Sequence, residues 1–280
     1  MSLTPVEFVI IAFLGSVLAG LLGSLLGLGG GIIVIPLLTL GLGVDIRYAI
    51  GASIVAVIAT SSGAGAAYVR DHISNIKLGM FLEVATTLGA ISGAFAAGFI
   101  GGDRLYVIFA AVMIYTALMM LRSPGDHLPR KIKPDALADR LQLHAAFHDK
   151  SLGREVSYRV TRSKVGLVVS YIAGMVSGLL GVGGGVMKVP AMNLIMNVPL
   201  KAATATSNFM IGVTAAASAG VYFSRGDIHP FIAAPVAAGV LCGATIGSKL
   251  LSRVTNRALK FAFVLILLLV AAKMMMKGLT

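Results

Sequence analysis

Along this chain apolar residues run in long blocks separated by short polar joints. Residues 8–44 and 48–69 contain no Asp, Glu, Lys or Arg. A helix needs about 20 apolar residues to cross a hydrocarbon core of about 30 Å. The pattern predicts apolar helical segments over residues 6–26, 32–44, 48–69, 79–100, 105–121, 165–180, 186–198, 202–223, 230–250 and 258–272. Five fall in each half of the chain. The second of each five is too short to span a bilayer unaided.

Composition turns this pattern into a class. Of 280 residues, 57% are hydrophobic and 12% charged, whereas a soluble domain is about a quarter charged. Too little polar surface remains to hide so many apolar helices from water. The net charge of +12 invites a nucleic-acid reading, but the charge is gathered in loops. Residues 122–164 alone hold ten Lys or Arg against five Asp or Glu, the mark of a cytoplasmic loop. A single cysteine, Cys242, excludes an intrachain disulfide and a cysteine metal cluster. Met1–Glu7 carry no basic residue, so the first apolar segment reads as retained and not as a cleaved signal.

The two halves resemble each other. Shifted by 154 residues, AGLLGSLLGLGGGIIVIP (Ala19–Pro36) falls on AGMVSGLLGVGGGVMKVP (Ala173–Pro190), with nine of 18 positions identical. The register continues through Val44/Val198, Ala49/Ala203, Ser53/Ser207 and Tyr68/Tyr222; a shift of 150 then pairs Gly89 with Gly239 and Gly93 with Gly243. The expected domains are a first transmembrane repeat (1–122), a basic cytoplasmic linker (123–163) and a second repeat (164–280). Pro124, Pro129 and Pro134 interrupt the start of the linker, and Asp135–Asp149 is expected to form a short amphipathic helix with Leu137 and Leu141 on one face.

The expected fold is therefore an all-α integral membrane protein of two homologous repeats, each with four to five transmembrane segments. A short broken or re-entrant helix follows each glycine-rich motif. If the short segments count as passes, each half makes an odd number and the repeats are inverted, a recurrent plan in secondary transporters. The basic loop at Lys249, Arg253, Arg257 and Lys260 then lies on the cytoplasmic side. Lys273 and Lys277 would be external, against the charge rule.

Glycine runs inside apolar segments are the main candidate for chemistry. Gly27-Leu28-Gly29-Gly30-Gly31 and Gly181-Val182-Gly183-Gly184-Gly185 should unwind the chain, because glycine is poor in helix interiors. Pro36 and Pro190 follow five residues later and reinforce each break. Unwound backbone at membrane depth must be buried or line a watery cavity, and amides at a helix start attract anions. Gly29, Gly30, Gly31, Gly183, Gly184 and Gly185 are thus substrate-binding candidates, with Gly27, Pro36, Gly181 and Pro190 as gating breaks. The alternative is that these glycines only let helices pack closely, as expected of Gly89/Gly93 and Gly239/Gly243. Neither run has the spacing of a dinucleotide fingerprint or a P-loop.

Side chains near the runs extend the candidate site. Ser53, Ser207, Thr206 and Asn208 offer hydrogen bonds to oxyanions, or alternatively to neighbouring helices; Ser61 and Ser62 are weaker candidates. Lys188 occupies the place of Val34 and either attracts an anion or snorkels to an interface. Glu83 is a carboxylate within an apolar stretch and a candidate for proton coupling, although nearby Lys77 favours a structural role. Arg225, Asp227 and His229 read as surface charges at a joint. His144 and His148 have helical i, i+4 spacing but no evident third ligand, so no metal is expected. No catalytic constellation is visible.

At these motifs the chain resembles the TauE/SafE family, also called the 4-toluene sulfonate uptake permease family. The doubled A-G-x-x-x-G/S-x-L-G-x-G-G-G-x-x-x-x-P block carries the resemblance, supported by Ala49–Ser53 and Ala203–Asn208. It covers both halves but not the linker. The resemblance implies transport of small anions, notably sulfite and organosulfonates, across the inner membrane of prokaryotic cells. The expectation is a secondary transporter with no cofactor, whose partners are the bilayer and a small anion, self-association being open. Rival readings are a passive anion channel, an intramembrane enzyme or assembly factor, and a sensor acting through the linker.

Overall fold

The computed structural model describes residues 4–122, 135–149, 153–251 and 257–279. It is helical apart from one hairpin. The first half comprises α1 (Pro5–Leu26), α2 (Gly31–Pro36), α3 (Ile46–Thr60), α4 (Ala66–Arg70), α5 (Ile76–Ala97) and α6 (Gly102–Arg122). The linker holds α7 (Ala136–Arg140), β1 (Ala145–Asp149) and β2 (Arg154–Tyr158). The second half comprises α8 (Ser163–Leu180), α9 (Gly185–Pro190), α10 (Leu200–Ser224), α11 (Pro230–Leu251) and α12 (Arg257–Leu279). Single π turns follow Pro36 (Leu37–Gly41) and Pro190 (Ala191–Ile195), and another joins α3 to α4 (Ser61–Gly65).

Six helical runs among the described residues are long and apolar enough to cross a membrane: α1, Ile46–Arg70, α5, Gly102–Leu121, α8 and Pro230–Leu250. Val6, Ile10, Leu14 and Leu18, four residues apart, form an exposed apolar stripe on α1. In water such a stripe would be a liability; against lipid tails it is the expected outer surface. The opposite side of α1 carries small buried residues, among them Ala12, Ser16, Ala19 and Gly20.

Small residues set the helix contacts. A methyl added at Gly89 or Gly93 of α5 would collide with the carbonyls of Tyr171 and Met175 on α8. Added at Gly243 or Gly247 of α11, it would meet the carbonyls of Val17 and Leu21 on α1. Backbones this close need glycine. Tyr171 and Met175 lie 154 residues after Val17 and Leu21, as Gly243 and Gly247 do after Gly89 and Gly93. The contacts therefore match Gly89 with Gly243, correcting the shift of 150 that sequence alone suggested for this helix. The slip is one helical turn, which leaves the buried face unchanged.

The same contacts give directions. Gly20 lies against Val240 and Gly247 against Leu21, so α1 and α11 run parallel. Gly51 abuts Asp227 and Gly63 abuts Leu241, so α3 is parallel to both. In the other group, Thr86 meets Gly174 and Ala90 meets Gly178, while Gly79 meets Phe209 and Glu83 meets Thr214, so α5, α8 and α10 run together. Between the groups, Ser61 bonds Phe209 while Gly65 faces Asn208, an antiparallel crossing of α3 and α10. Because α1 and α3 point the same way, residues 27–45 carry the chain back between them.

The linker departs from expectation. α7 ends at Arg140, Gln142 takes a left-handed φ of 52°, and Leu141 is exposed. An antiparallel hairpin follows, with Phe147 opposite Val156. The helix expected over Asp135–Asp149 fails because alternating Phe147 and Asp149 point inward and find a partner strand. Phe147, Val156 and Tyr158 pack with Leu78, Met192 and Met196 in one apolar cluster. Asn75 donates from Nδ2 to the Leu143 carbonyl (2.8 Å) and to Tyr158 Oη (3.2 Å). His144 precedes the strand and His148 lies on it, so the helical spacing suggested for them does not exist. His144 Nε2 instead contacts Asp139 at 2.7 Å. Pro124, Pro129, Pro134 and Arg253, and the side chains of Arg257 and Lys260, lie outside the described residues.

Candidate functional site

Each glycine run is an unwound loop between two helices. Gly27, Gly29 and Gly30 have φ of 70°, 81° and 71°; Gly181, Gly183 and Gly184 have 67°, 83° and 72°. Only glycine adopts this left-handed region readily, so the repeated spacing in sequence dictates the same loop twice. The Gly27 and Gly181 amides close the preceding helices on the carbonyls of Gly23 and Ser177.

The two loops lie side by side in opposite directions. A methyl on Gly31 would strike Ser53 Oγ and the Gly181 carbonyl, and one on Gly185 would strike the Gly27 carbonyl and Ser207 Oγ. Gly29 and Gly183 share the same two neighbours, Val57 and Ile211, halfway along the run Ile46–Arg70 and α10. The breaks from the two halves are therefore in direct contact within the protein, with those two side chains packed beside them.

Hydroxyls fasten the loops in matching pairs. Ser53 Oγ donates to the Gly181 carbonyl at 2.7 Å, and Ser207 Oγ to the Gly27 carbonyl at 2.9 Å. Tyr68 Oη donates to the Ser24 carbonyl (3.3 Å) and Tyr222 Oη to that of Gly178 (2.9 Å). Thr60 Oγ1 lies 3.1 Å from the Gly29 carbonyl. In this conformation the serine hydrogens are directed at backbone carbonyls. Asn208 donates to the carbonyls of Ser24 (2.9 Å) and Thr204 (3.1 Å), while its Oδ1, buried, has no hydrogen-bond partner among the described residues. Thr206 faces the other way, accepting the Asn75 amide at 2.9 Å. Ser61 bonds the Phe209 carbonyl and Ser62 that of Ile58. Pro36 and Pro190 end α2 and α9 and hand the chain to the π turns.

Lys188 is 1% exposed and Glu83 5%, so the lysine does not snorkel and the carboxylate is enclosed within the protein. Glu83 Oε1 accepts from Thr214 Oγ1 at 2.6 Å, Lys188 Nζ donates to Thr214 Oγ1 at 3.1 Å, and Glu83 Oε2 lies 4.0 Å from Nζ. Lys77, expected beside Glu83, instead bonds Gln142. Thr214 and Thr60 were missed in the sequence, although the shift of 154 pairs them. Arg225 is less exposed than a surface charge: it bonds Asp227 at 2.8 Å and the Ala94 carbonyl at 2.6 Å, and stacks 4.3 Å from the Tyr222 ring. The Ala94 contact comes from the end of α5, which sequence did not place there. No group of three metal-binding side chains occurs among the described residues.

The chain is similar to known proteins over nearly its whole length. Residues 12–274 match the family model described as sulfite exporter TauE/SafE. "Probable membrane transporter protein YunE" of Bacillus subtilis is 28% identical over 97% of this chain and 98% of its own length. "Probable membrane transporter protein YdhB" of the same organism is 24% identical, over 89% and 92%. A "probable membrane transporter protein" of Xylella fastidiosa is 29% identical over 90% of each chain. No solved structure matches. With its apolar helices and doubled glycine blocks covered by that model, the chain belongs to the TauE/SafE family of membrane transporters.

Proposed function

We propose that this protein is a secondary transporter that moves a small anion, sulfite or an organosulfonate-type compound, across the cytoplasmic membrane. The observation that carries the reading is the contact between the two glycine loops at the centre of the bundle. Each loop presents main-chain dipoles where lipid-exposed backbone would be forbidden. Each is held by a serine from the opposite half. Breaking Ser53–Gly181 and Ser207–Gly27 frees hydroxyls for an oxyanion, so opening the loops and binding the substrate become one event. Gly29–Gly31, Gly183–Gly185, Ser53, Ser207, Asn208 and Lys188 form this site; Thr206 acts behind it by anchoring α5.

The architecture is read as two inverted repeats, 1–122 and 164–280, joined by a cytoplasmic linker. Support comes from the matching contacts at a spacing of 154 and from the antiparallel course of α3 and α10, which occupy equivalent places. Residues 27–45 and 181–199 then serve as broken crossings, and alternating access is a rocking of one repeat-derived bundle against the other.

Uptake of labelled sulfite, sulfate, sulfonates and thiosulfate into proteoliposomes tests this. Saturable uptake with counterflow is expected for at least one of them. Large unsaturable currents would point to a channel, and no flux of any would overturn the transport reading.

A further inference from the structure

A buried charge pair joins α5 of the first half to α9 of the second, and the place equivalent to it carries no charge. At the spacing of 154, Lys188 corresponds to Val34, Thr214 to Thr60 and Glu83 to Ala237. The architecture therefore does not need ions at this position, and a buried pair is costly compared with apolar packing. The pair is also incomplete: Glu83 Oε2 is buried with no hydrogen-bond partner among the described residues, and the lysine nitrogen is 4.0 Å away. An ion pair kept for stability would close that gap, since an unmet carboxylate oxygen forfeits the benefit of pairing.

The pair is tied to the loop. Lys188 lies on α9, three residues beyond Gly185, and its Cε is near where a Gly184 side chain would begin. Thr60 spends its hydroxyl on the Ala56 and Gly29 carbonyls. Its counterpart Thr214 directs its hydroxyl to Glu83 and to Met210, and makes no bond to Gly183 among the described residues. The charge state of Glu83 thus acts on the side chain placed to fasten the second loop.

We infer that Glu83 occupies Lys188 in place of the transported anion, and that a proton on Glu83 releases Lys188 to that anion, coupling anion and proton movement in one direction. This rests on the transport reading above and adds the coupling ion to it. With Glu83 ionised the lysine is neutralised from within and the site is closed. A proton from the water phase on the entry side neutralises Glu83; the unpaired ammonium then recruits the anion. Departure of the anion on the far side lets Glu83 lose its proton there and take Lys188 back. Other charges on the elements around Glu83 are occupied or distant. Lys201 on α10 is held by Asp149 at 2.9 Å, and Lys77 by Gln142. Lys164 on α8 is exposed and, in the register that sets Gly174 against Thr86, level with Ile76. Arg225, beyond α10, is bound at Ala94 and Asp227.

Proteoliposomes carrying a pH-sensitive dye inside test this with labelled sulfate and isethionate, neither of which takes up a proton near neutral pH. The wild-type protein should acidify the lumen as the anion enters, and an inward proton gradient should concentrate the anion several-fold. Glu83→Gln should move the anion only down its own gradient with no proton signal and a flat pH profile, while Glu83→Asp should keep both signals. Wild-type anion flux with no proton movement, or proton flux in Glu83→Gln equal to wild type, would overturn the coupling and leave the transport reading standing. No flux of these two or of any other anion named for the uptake assay would overturn the transport reading itself. The wild-type measurement requires no variant to fold.

Discussion

Six glycines with positive φ define the centre of this molecule. At Gly30 and Gly184 an added Cβ would lie 3.1 Å from the Ala19 carbonyl and 3.0 Å from the Ala173 carbonyl, in a conformation costing an L-residue about 1–2 kcal/mol before any clash. Gly30→Leu and Gly184→Leu should each lower stability by at least about that much. Each should also stop transport while leaving insertion intact, as read by membrane fractionation and vesicle uptake. Full flux in either well-folded variant would remove the role given to the loops. The serines make a gentler probe. Ser53→Ala or Ser207→Ala leaves a buried carbonyl without its side-chain donor, at about 1–3 kcal/mol each. Thermal melting in detergent should show similar losses for the two, since their bonds are equivalent.

At the scale of elements, the helices were legible and the linker was not. A run such as Phe8–Leu26 has no reading other than a lipid-facing helix, and the segment limits were close on that ground. The hairpin escaped because its strands are only five residues each. Its latch is polar. His144 and Arg159 hold Asp139 below the usual carboxylate range. Asp135 is likewise lowered: burial acts to raise it, and hydrogen bonds from Ser163, Ala138 and Leu137 outweigh that. A carboxylate lowered on folding contributes stability that is present above its unfolded pKa and lost as pH falls through the folded one. The protection factor of the Ser163 amide, which donates to Asp135, should therefore be high at neutral pH and fall below about pH 4. Unchanged protection there would show that the latch is apolar. Because Phe147 and Tyr158 cover Met192 and Met196, deleting residues 125–160 should destabilise the second half, where a plain loop would be dispensable.

For the whole molecule, the course of the chain is the testable property. If residues 27–45 and 181–199 count as crossings, both termini lie opposite the linker; if they do not, all three share a side. Single cysteines placed near residues 4, 155 and 279, in a Cys242→Ser background, report this through labelling of intact cells by an impermeant maleimide. The expected outcome is reaction at 4 and 279 and protection at 155. Labelling of all three together, or of none, would sink the inverted arrangement.

Hydropathy and glycine spacing alone determined that this chain is a membrane helix bundle, that one glycine block recurs 154 residues on, and where the chain unwinds at each copy. Those properties are local: a run of apolar side chains or a left-handed glycine is decided within a few residues. Only the tertiary structure decided that the two loops touch, that Ser53 and Ser207 each hold the other half's loop, and that Glu83 meets Lys188 and not Lys77. These contacts join residues 105–180 positions apart. Their geometry depends on how closely glycine-lined backbones approach and on which way each helix runs. No periodicity in a single sequence records either quantity.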